Sequence, residues 1–344
     1  MAAKTDEYGA FRAEIAAGNI GTCYILYGEE RYLLEHIVSE IREKLVPGGD
    51  GDFNHHRYGS APNMQELYDA VSAYPFFAER TLIEISDFDF TSGLANFMPL
   101  FSDLPEHVCL LFICGAELKL DKRLSATKEL LKAARLVQFK IQDRSRLVPW
   151  IMRHFKELGS SVSSTDAEYL AFITGGMMAP LRLEIEKLCS YHGQSDTPVS
   201  RAEIDALVAV VPDAVLYKLT DAVVDRNYRV ASRVLEDLTV MREPPHRMIY
   251  SLTSKMRALL LARYYLDSNR GVNELMKTTG IRYEFQAKNL ISAARRTTLE
   301  LCRESVRLCT ETAFRLNDGG GLESVVELLA RLAAVQANTS GGAA

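Results

Sequence analysis

Two kinds of hydrophobic pattern alternate over the first 140 residues of the chain. Short continuous apolar runs predict buried strands, and apolar residues spaced three and four positions apart predict amphipathic helices. The clearest runs are 23–27, which Gly28 closes, and 108–114, which is apolar throughout and suits a strand buried on both faces. Strands that alternate with helices predict a largely parallel sheet with helices on both faces.

The other elements of this part follow from the same patterns. Further strands are predicted at 53–58, 81–85 and 136–139, and helices at 33–45, 64–72 and 124–134. Pro47 and the glycines after it end the first of these helices. The prediction for residues 1–140 is therefore an α/β domain.

Only helical periodicity remains after Phe139. A small helical domain is predicted at 141–211, in which Thr165 caps one helix, Pro180 opens the next and Ser200–Glu203 forms a capping box. A larger helical domain is predicted at 212–338, with helices at about 213–226, 228–240, 244–268, 271–279, 283–293, 297–316 and 321–337. Residues 339–344 lack packing side chains and are predicted to fray.

The composition is that of a soluble globular protein, with 47% hydrophobic and 25% charged residues. No apolar run approaches the roughly 20 residues that span a bilayer, and the first residues do not resemble a signal peptide. We therefore expect a cytoplasmic protein without membrane contact. The six cysteines form no CxxC pair, which predicts buried, reduced thiols rather than disulfides or a zinc site. We expect no metal and no cofactor.

Positive charge is concentrated in one stretch of an otherwise acidic chain. The net charge is −5, yet residues 242–307 contain thirteen Lys or Arg and six Asp or Glu. Tyr283, Phe285, Lys288 and Arg295 lie within this stretch, where aromatic and basic side chains could approach a phosphate backbone. A helix with a solvated basic face is the alternative interpretation of the same residues.

The loop after the first strand stands where a phosphate-binding loop would be. Such a loop needs glycines, a Lys for the β- and γ-phosphates and a Ser or Thr for magnesium. Here Gly28 is followed by Glu29 and Glu30, whose carboxylates suit the positive end of a helix but would repel a triphosphate. The loop stands where a nucleotide would bind, but its residues are not those that hold phosphate and magnesium. We therefore expect no ATP binding and no catalysis.

Two adjacent phenylalanines, Phe76 and Phe77, lie between a predicted helix and a predicted strand. Aromatic residues are commonly buried, so a place in the core is one interpretation. Pro75 on one side and Glu79-Arg80 on the other are typical of a surface segment instead. In that case the pair would form an exposed tip that fills an apolar pocket of another protein.

Three segments, in their order along the chain, resemble the delta subunit family of the bacterial DNA polymerase III clamp loader. Residues 27–30 resemble that family's opening, in which a phosphate-binding loop has been lost. Residues 73–80 resemble its clamp-binding segment, and Phe76 and Phe77 match the two apolar residues that enter a pocket on the clamp. Residues 183–188 resemble the Glu-Lys-Leu helix of its middle domain.

The resemblance implies an AAA+-like protein that binds and opens the beta sliding clamp without hydrolysing ATP. It implies that the N-terminal domain faces the clamp, that residues 141–211 are lid-like, and that the last domain joins a collar with the gamma/tau ATPase subunits and the delta-prime subunit. Primer-template DNA would lie within that complex, in the replisome at the nucleoid. An active AAA+ ATPase and a stand-alone DNA-binding protein are the rival functions.

Overall fold

The computed structural model describes residues 7–48, 53–91, 94–121, 123–193, 195–268, 270–317 and 319–338. The chain divides into two compact units. The first unit extends to Gln142 and includes Met177–Ala179, and the second comprises Asp143–Gly176 and the chain from Pro180 onward. The tail that was predicted to fray, 339–344, lies outside the described residues.

A five-stranded parallel sheet forms the centre of the first unit. Its strands are Cys23–Tyr27 (β1), His55–Tyr58 (β2), Thr81–Ser86 (β3), Val108–Ile113 (β4) and Arg135–Gln138 (β5). Their order across the sheet is β2-β3-β4-β1-β5. Every residue of the middle strand β4 is buried, which is why its sequence contains no polar position.

Helices cover both faces of this sheet. They are Glu7–Ala16 (α1), Arg31–Leu45 (α2), Met64–Ser72 (α3), Leu94–Ser102 (α4) and Ser125–Ala133 (α5). Ile25 and Phe112 point to the face that carries α3, α4 and α5 and share one buried core with them. On the opposite face Tyr24 packs against Phe11 of α1. The predicted α/β architecture is confirmed.

Three details of the first unit differ from the sequence prediction. Helix α1 was missed because it buries only Phe11 and Ile15, which are too few apolar positions to form a periodic pattern. Helix α4 was missed because it is largely apolar and contains Pro99, so it lacks both a polar face and a helix-favouring sequence. Strand β2 begins at His55, which leaves Phe53 in the preceding turn.

Four helices come next along the chain, Arg144–Glu157 (α6), Ser164–Ile173 (α7), Met178–His192 (α8) and Arg201–Leu207 (α9). They belong to the second unit except for Met178 and Ala179, the first two residues of α8, which belong to the first. The predicted cap of α7 was wrong: Ser163, not Thr165, accepts a hydrogen bond from the N–H of Asp166 at 3.0 Å. Helix α8 begins two residues before Pro180 rather than at it. The capping box at Ser200 is confirmed.

Seven further helices complete the second unit, and they agree with the predicted set to within a few residues. They are Pro212–Val224 (α10), Tyr228–Val240 (α11), Pro245–Asp267 (α12), Val272–Thr279 (α13), Glu284–Arg295 (α14), Leu299–Asn317 (α15) and Leu322–Asn338 (α16). Helix α12 packs against α10, α13, α14, α15 and α16. In the described part of this unit the only β-pairing is an isolated bridge between Val162 and Val199, so the predicted all-helical character is confirmed.

The cysteines are all free and all buried, in agreement with the sequence prediction. Burial raises the pKa of their thiols, to about 12 for Cys109 and Cys114. Among the residues that the structure describes, none of the helices is both long and apolar enough to cross a membrane. Within the same residues no group of three or more His, Cys, Asp or Glu side chains is arranged to hold a metal ion.

Candidate functional site

Two backbone donors of the loop between β1 and α2 are bonded to the segments that follow β4 and β5. The N–H of Gly28 donates to the carbonyl of Gly115 at 3.1 Å, and the N–H of Glu30 donates to the carbonyl of Phe139 at 3.0 Å. Phosphate-binding loops work by leaving such N–H groups free to point at the anion. Here these two donors are already bonded within the protein.

The side chain of Glu30 occupies the position beside this loop where a phosphate would lie. This carboxyl is buried at the start of α2, and its Oε2 accepts a hydrogen bond from the N–H of Met178 at 3.2 Å. Burial raises the pKa of Glu30, although the backbone amides of Met178 and Tyr32 act to lower it. The neighbouring Glu29 is exposed. A buried acidic group at the positive end of α2 leaves no place there for an anionic ligand.

Phe76 and Phe77 form an exposed tip between α3 and β3. The Phe76 side chain is 61% exposed and that of Phe77 is 96% exposed, and their ring centroids lie 4.4 Å apart in an edge-to-face arrangement. Phe77 has a φ of 51°, a left-handed conformation that is unfavourable for a bulky side chain. The exposure expected of a surface tip is thus present, and its role in binding stays a prediction.

Arg80 fastens the end of this tip to the sheet. Its guanidinium donates to the carbonyl oxygens of Ile20 at 2.5 Å, Gly21 at 2.8 Å and Val108 at 2.9 Å. These carbonyls precede or begin the strands β1 and β4. Because one planar group binds three backbone oxygens, the chain that leaves the tip is fixed to a rigid part of the fold.

A third aromatic side chain stands beside the tip and was missed by the sequence analysis. Phe53 is 81% exposed, and its ring centroid lies 6.0 Å from that of Phe76. Phe53 was predicted to lie in a strand, where alternate side chains are commonly buried. The glycine-rich segment just before it, at 48–51, was the available signal that Phe53 belongs to a surface turn.

The four residues predicted to lie near DNA fall into two different environments. Tyr283 and Phe285 are half-buried, and both rings lie 5.4 Å from the ring of Phe172. The hydroxyl of Tyr283 donates to the carbonyl of Ala171 at 3.3 Å. Burial raises the pKa of Tyr283. These two aromatic side chains are therefore packing residues of the second unit.

The two basic residues of the set, Lys288 and Arg295, are exposed on α14. Lys288 forms an ion pair with Glu284 at 2.8 Å, and this hydrogen bond is the main cause of the lowered pKa of Glu284. Within the basic stretch, Tyr250 is the more open aromatic residue, with 74% of its side chain exposed. The structure does not combine the four predicted residues into one surface.

Two protein-family models match this chain, in agreement with its division into an α/β part and a helical part. The model described as "DNA polymerase III, delta subunit" matches residues 24–140. The model described as "DNA polymerase III delta subunit, C-terminal domain" matches residues 213–330. The aromatic tip and the loop at Gly28 lie within the first match, and Tyr283 and Arg295 lie within the second.

Similar proteins carry the same description along most of their length. The DNA polymerase III subunit delta of Bacillus subtilis is 24% identical over 289 residues, which is 81% of this chain and 82% of that protein. The probable DNA polymerase III subunit delta of Aquifex aeolicus is 23% identical over 277 residues, or 76% of each chain. Among solved structures, the DNA clamp loader delta protein of Bacillus subtilis is similar in fold, with a TM-score of 0.50, 19% identity and coverage of 95% of this chain and 99% of that one.

Proposed function

Because the chain belongs to the delta subunit family of DNA polymerase III, and is thus a clamp loader component, we propose that it binds and opens the beta sliding clamp through Phe76 and Phe77. The observation that carries this proposal is the exposure of two adjacent aromatic rings on an anchored tip. Burial of one Phe side chain contributes roughly 1.5–3 kcal/mol, so two rings in one apolar pocket supply a strong anchor.

Opening of the clamp requires only that the subunit prefers the open form. A ligand shifts a conformational equilibrium by the difference between its affinities for the two states. A protein seated beside one clamp interface, with the tip in the neighbouring pocket, would bind better to a clamp whose interface has sprung apart. No chemical step in this chain is needed for that effect.

The closed loop at Gly28 supports a role without ATP hydrolysis. The N–H groups of Gly28 and Glu30 are bonded internally, and the buried Glu30 carboxyl occupies the start of α2. The energy of ATP would then enter through the gamma/tau ATPase subunits, whose nucleotide-bound state exposes the clamp-facing surface of the assembly. Replication work of this kind would take place in the cytoplasm, at the nucleoid.

The remaining parts of the chain receive roles in the same proposal. Residues 1–140 face the clamp, residues 141–211 form a lid-like helical domain, and residues 212–338 join the collar with gamma/tau and delta-prime. Primer-template DNA passes near the exposed cations Lys288 and Arg295 in the complete loader. The half-buried rings of Tyr283 and Phe285 support this contact by holding the start of α14 in place.

The test is a binding titration between the full chain and the sliding clamp of the same organism. Phe76→Ala together with Phe77→Ala should weaken binding by about a hundredfold or more. Thermal stability should stay close to that of the unchanged protein, because both side chains are exposed. A fall of roughly 3–5 kcal/mol in unfolding free energy would instead identify the rings as core. Binding that survives the double change would refute the proposal.

Two further titrations separate the rival functions. An active AAA+ ATPase would bind ATP with micromolar affinity in calorimetry and lose that affinity when Gly28 is altered, whereas we expect no binding. A stand-alone DNA-binding protein would bind DNA strongly and in a salt-sensitive way as an isolated chain. We expect strong DNA binding only from the assembled clamp loader.

A further inference from the structure

Asn54 joins the beginning of the aromatic tip to the sheet, whereas Arg80 holds the chain that leaves it. Asn54 directly precedes β2, and its side chain is buried. Its Nδ2 donates to the carbonyl of Phe76 at 2.9 Å, and its Oδ1 accepts from the N–H of Phe76 at 2.6 Å. One side-chain amide thus binds both backbone polar groups of Phe76, in the way that a neighbouring strand would.

The main chain of Asn54 is itself held by the sheet. Its carbonyl accepts a hydrogen bond from the N–H of Leu82 in β3 at 2.8 Å. The buried side chain of Asn54 therefore holds the backbone of Phe76 in a fixed position relative to two adjacent parallel strands, β2 and β3. Between this contact and Arg80 lie only Phe77, Ala78 and Glu79, so the exposed turn is fixed at both ends.

The chemistry at position 54 is specific to an amide. A carboxylate would keep an acceptor for the Phe76 N–H but would face the Phe76 carbonyl with a second oxygen. An apolar side chain of the same size would satisfy neither group. Phe76 itself is 61% exposed, so neither change at position 54 removes packing around its ring. What is lost is the fixed geometry of the tip.

We propose that Asn54 is a positioning residue for clamp binding, which holds Phe76 and Phe77 in the conformation that enters the partner's apolar pocket. The proposal rests on the proposed function of those two rings. When the binding conformation is only fractionally populated, apparent affinity falls by that fraction. Removal of both hydrogen bonds is expected to weaken binding by about tenfold or more.

The experiment measures two quantities on the full chain: affinity for the sliding clamp and hydrogen exchange in the segment 74–80. Asn54→Leu should weaken binding and accelerate exchange in that segment, while exchange in β1, β3 and β4 stays slow. A general loss of stability would accelerate exchange in the strands as well. Asn54→Asp retains one of the two hydrogen bonds and should fall between Leu and the unchanged protein in both measurements.

Asn63 provides a matched control in the same unit. Its Oδ1 accepts from the N–H of Gln65 at 3.0 Å and caps α3, the helix that leads to the tip. Asn63→Ala removes an asparagine side-chain hydrogen bond and should lower the melting temperature, yet leave clamp affinity unchanged. If Asn63→Ala weakened clamp binding as much as Asn54→Leu, affinity would simply follow stability and the positioning role would be wrong.

The outcomes also separate this inference from the proposed function. If Phe76→Ala with Phe77→Ala abolishes binding but Asn54→Leu binds the clamp normally, the positioning role is wrong and the proposed function stands. If the double Phe variant binds normally, the proposed function itself is wrong. Should Asn54→Leu fail to fold, the comparison of Asn54→Asp with the unchanged protein decides the question by the same two measurements.

Discussion

A Cβ atom at position 28 would lie 2.1 Å from the carbonyl oxygen of Phe139. The two chain segments approach so closely because the N–H of Phe139 donates to the carbonyl of Tyr27 at 2.7 Å and its carbonyl accepts from Glu30. Gly28 also has a φ of 142°, which side-chain-bearing residues rarely adopt. The glycine at the place of a phosphate cradle is thus required by the backbone packing of this loop.

Gly28→Ala is expected to destabilise the first unit. The added methyl group meets main-chain atoms that cannot move without breaking the sheet, and the φ value adds strain of about 1–3 kcal/mol. We expect a loss of at least that size in unfolding free energy, measured by urea denaturation. Gly59→Ala is the control, because a Cβ there meets nothing within 4 Å. Equal stability of the two variants would contradict the close approach.

Glu30→Gln tests the buried carboxyl at the start of α2. Because burial raises the pKa of Glu30 above the ordinary value of 4.5, the folded state favours the protonated form more than the unfolded state does. The stabilising contribution of protonated Glu30 is complete below pH 4.5 and is lost as pH rises through the raised pKa. The Gln variant, which does not titrate, should therefore be more stable than the unchanged protein at neutral pH.

That advantage should shrink as the pH is lowered toward 4.5, and urea denaturation at a series of pH values measures it. Glu29→Gln removes a charge from the exposed neighbour and should not reproduce the effect. An advantage of Glu30→Gln that is the same at every pH would mean that the gain comes from packing and not from the charge.

The sequence predicted the sheet and the long helices because their signals are local and redundant. Strand β4 is apolar at every position, and helix α12 repeats its pattern over 23 residues. The contacts within the candidate site were harder to predict from the sequence. The hydrogen bonds between Asn54 and Phe76 join residues 22 positions apart. The packing of Tyr283 on Phe172 joins the residue before α14 to α7. No local pattern carries such information.

Phe285→Ala is expected to act on stability rather than on DNA binding. Its half-buried ring lies 5.4 Å from Phe172, so truncation should cost about 2 kcal/mol, below the range for a fully buried Phe. Lys288→Ala and Arg295→Ala remove exposed cations and should change stability by less than about 0.5 kcal/mol. In the assembled loader, each of these substitutions should reduce the slope of log DNA affinity against log salt concentration by about one.

Urea denaturation of the chain and DNA titrations of the complete loader at two salt concentrations provide these values. The opposite result, unchanged stability with reduced DNA affinity in Phe285→Ala, would assign that ring to the DNA-facing surface. If neither cation affected the salt dependence, the solvated-face interpretation of α14 would be favoured.

Phe77→Asn is expected to weaken clamp binding without lowering the stability of the fold. Phe77 has a φ of 51°, and a left-handed conformation costs about 1–2 kcal/mol for most residues but much less for Asn, whose side chain bonds the local backbone. The Phe77 ring is almost fully exposed, so its removal costs little packing. The variant should therefore be as stable as the unchanged protein or up to about 1 kcal/mol more stable, yet bind the clamp about tenfold or more weakly.

Phe76→Asn is the matched control, since it makes the same replacement at the neighbouring ring, where φ is not positive. It should lose clamp affinity without any gain in stability. Thermal denaturation and a clamp titration of both variants decide the matter. A Phe77→Asn protein that is several kcal/mol less stable would show that the ring supports the fold, because relief of backbone strain can only act in the other direction.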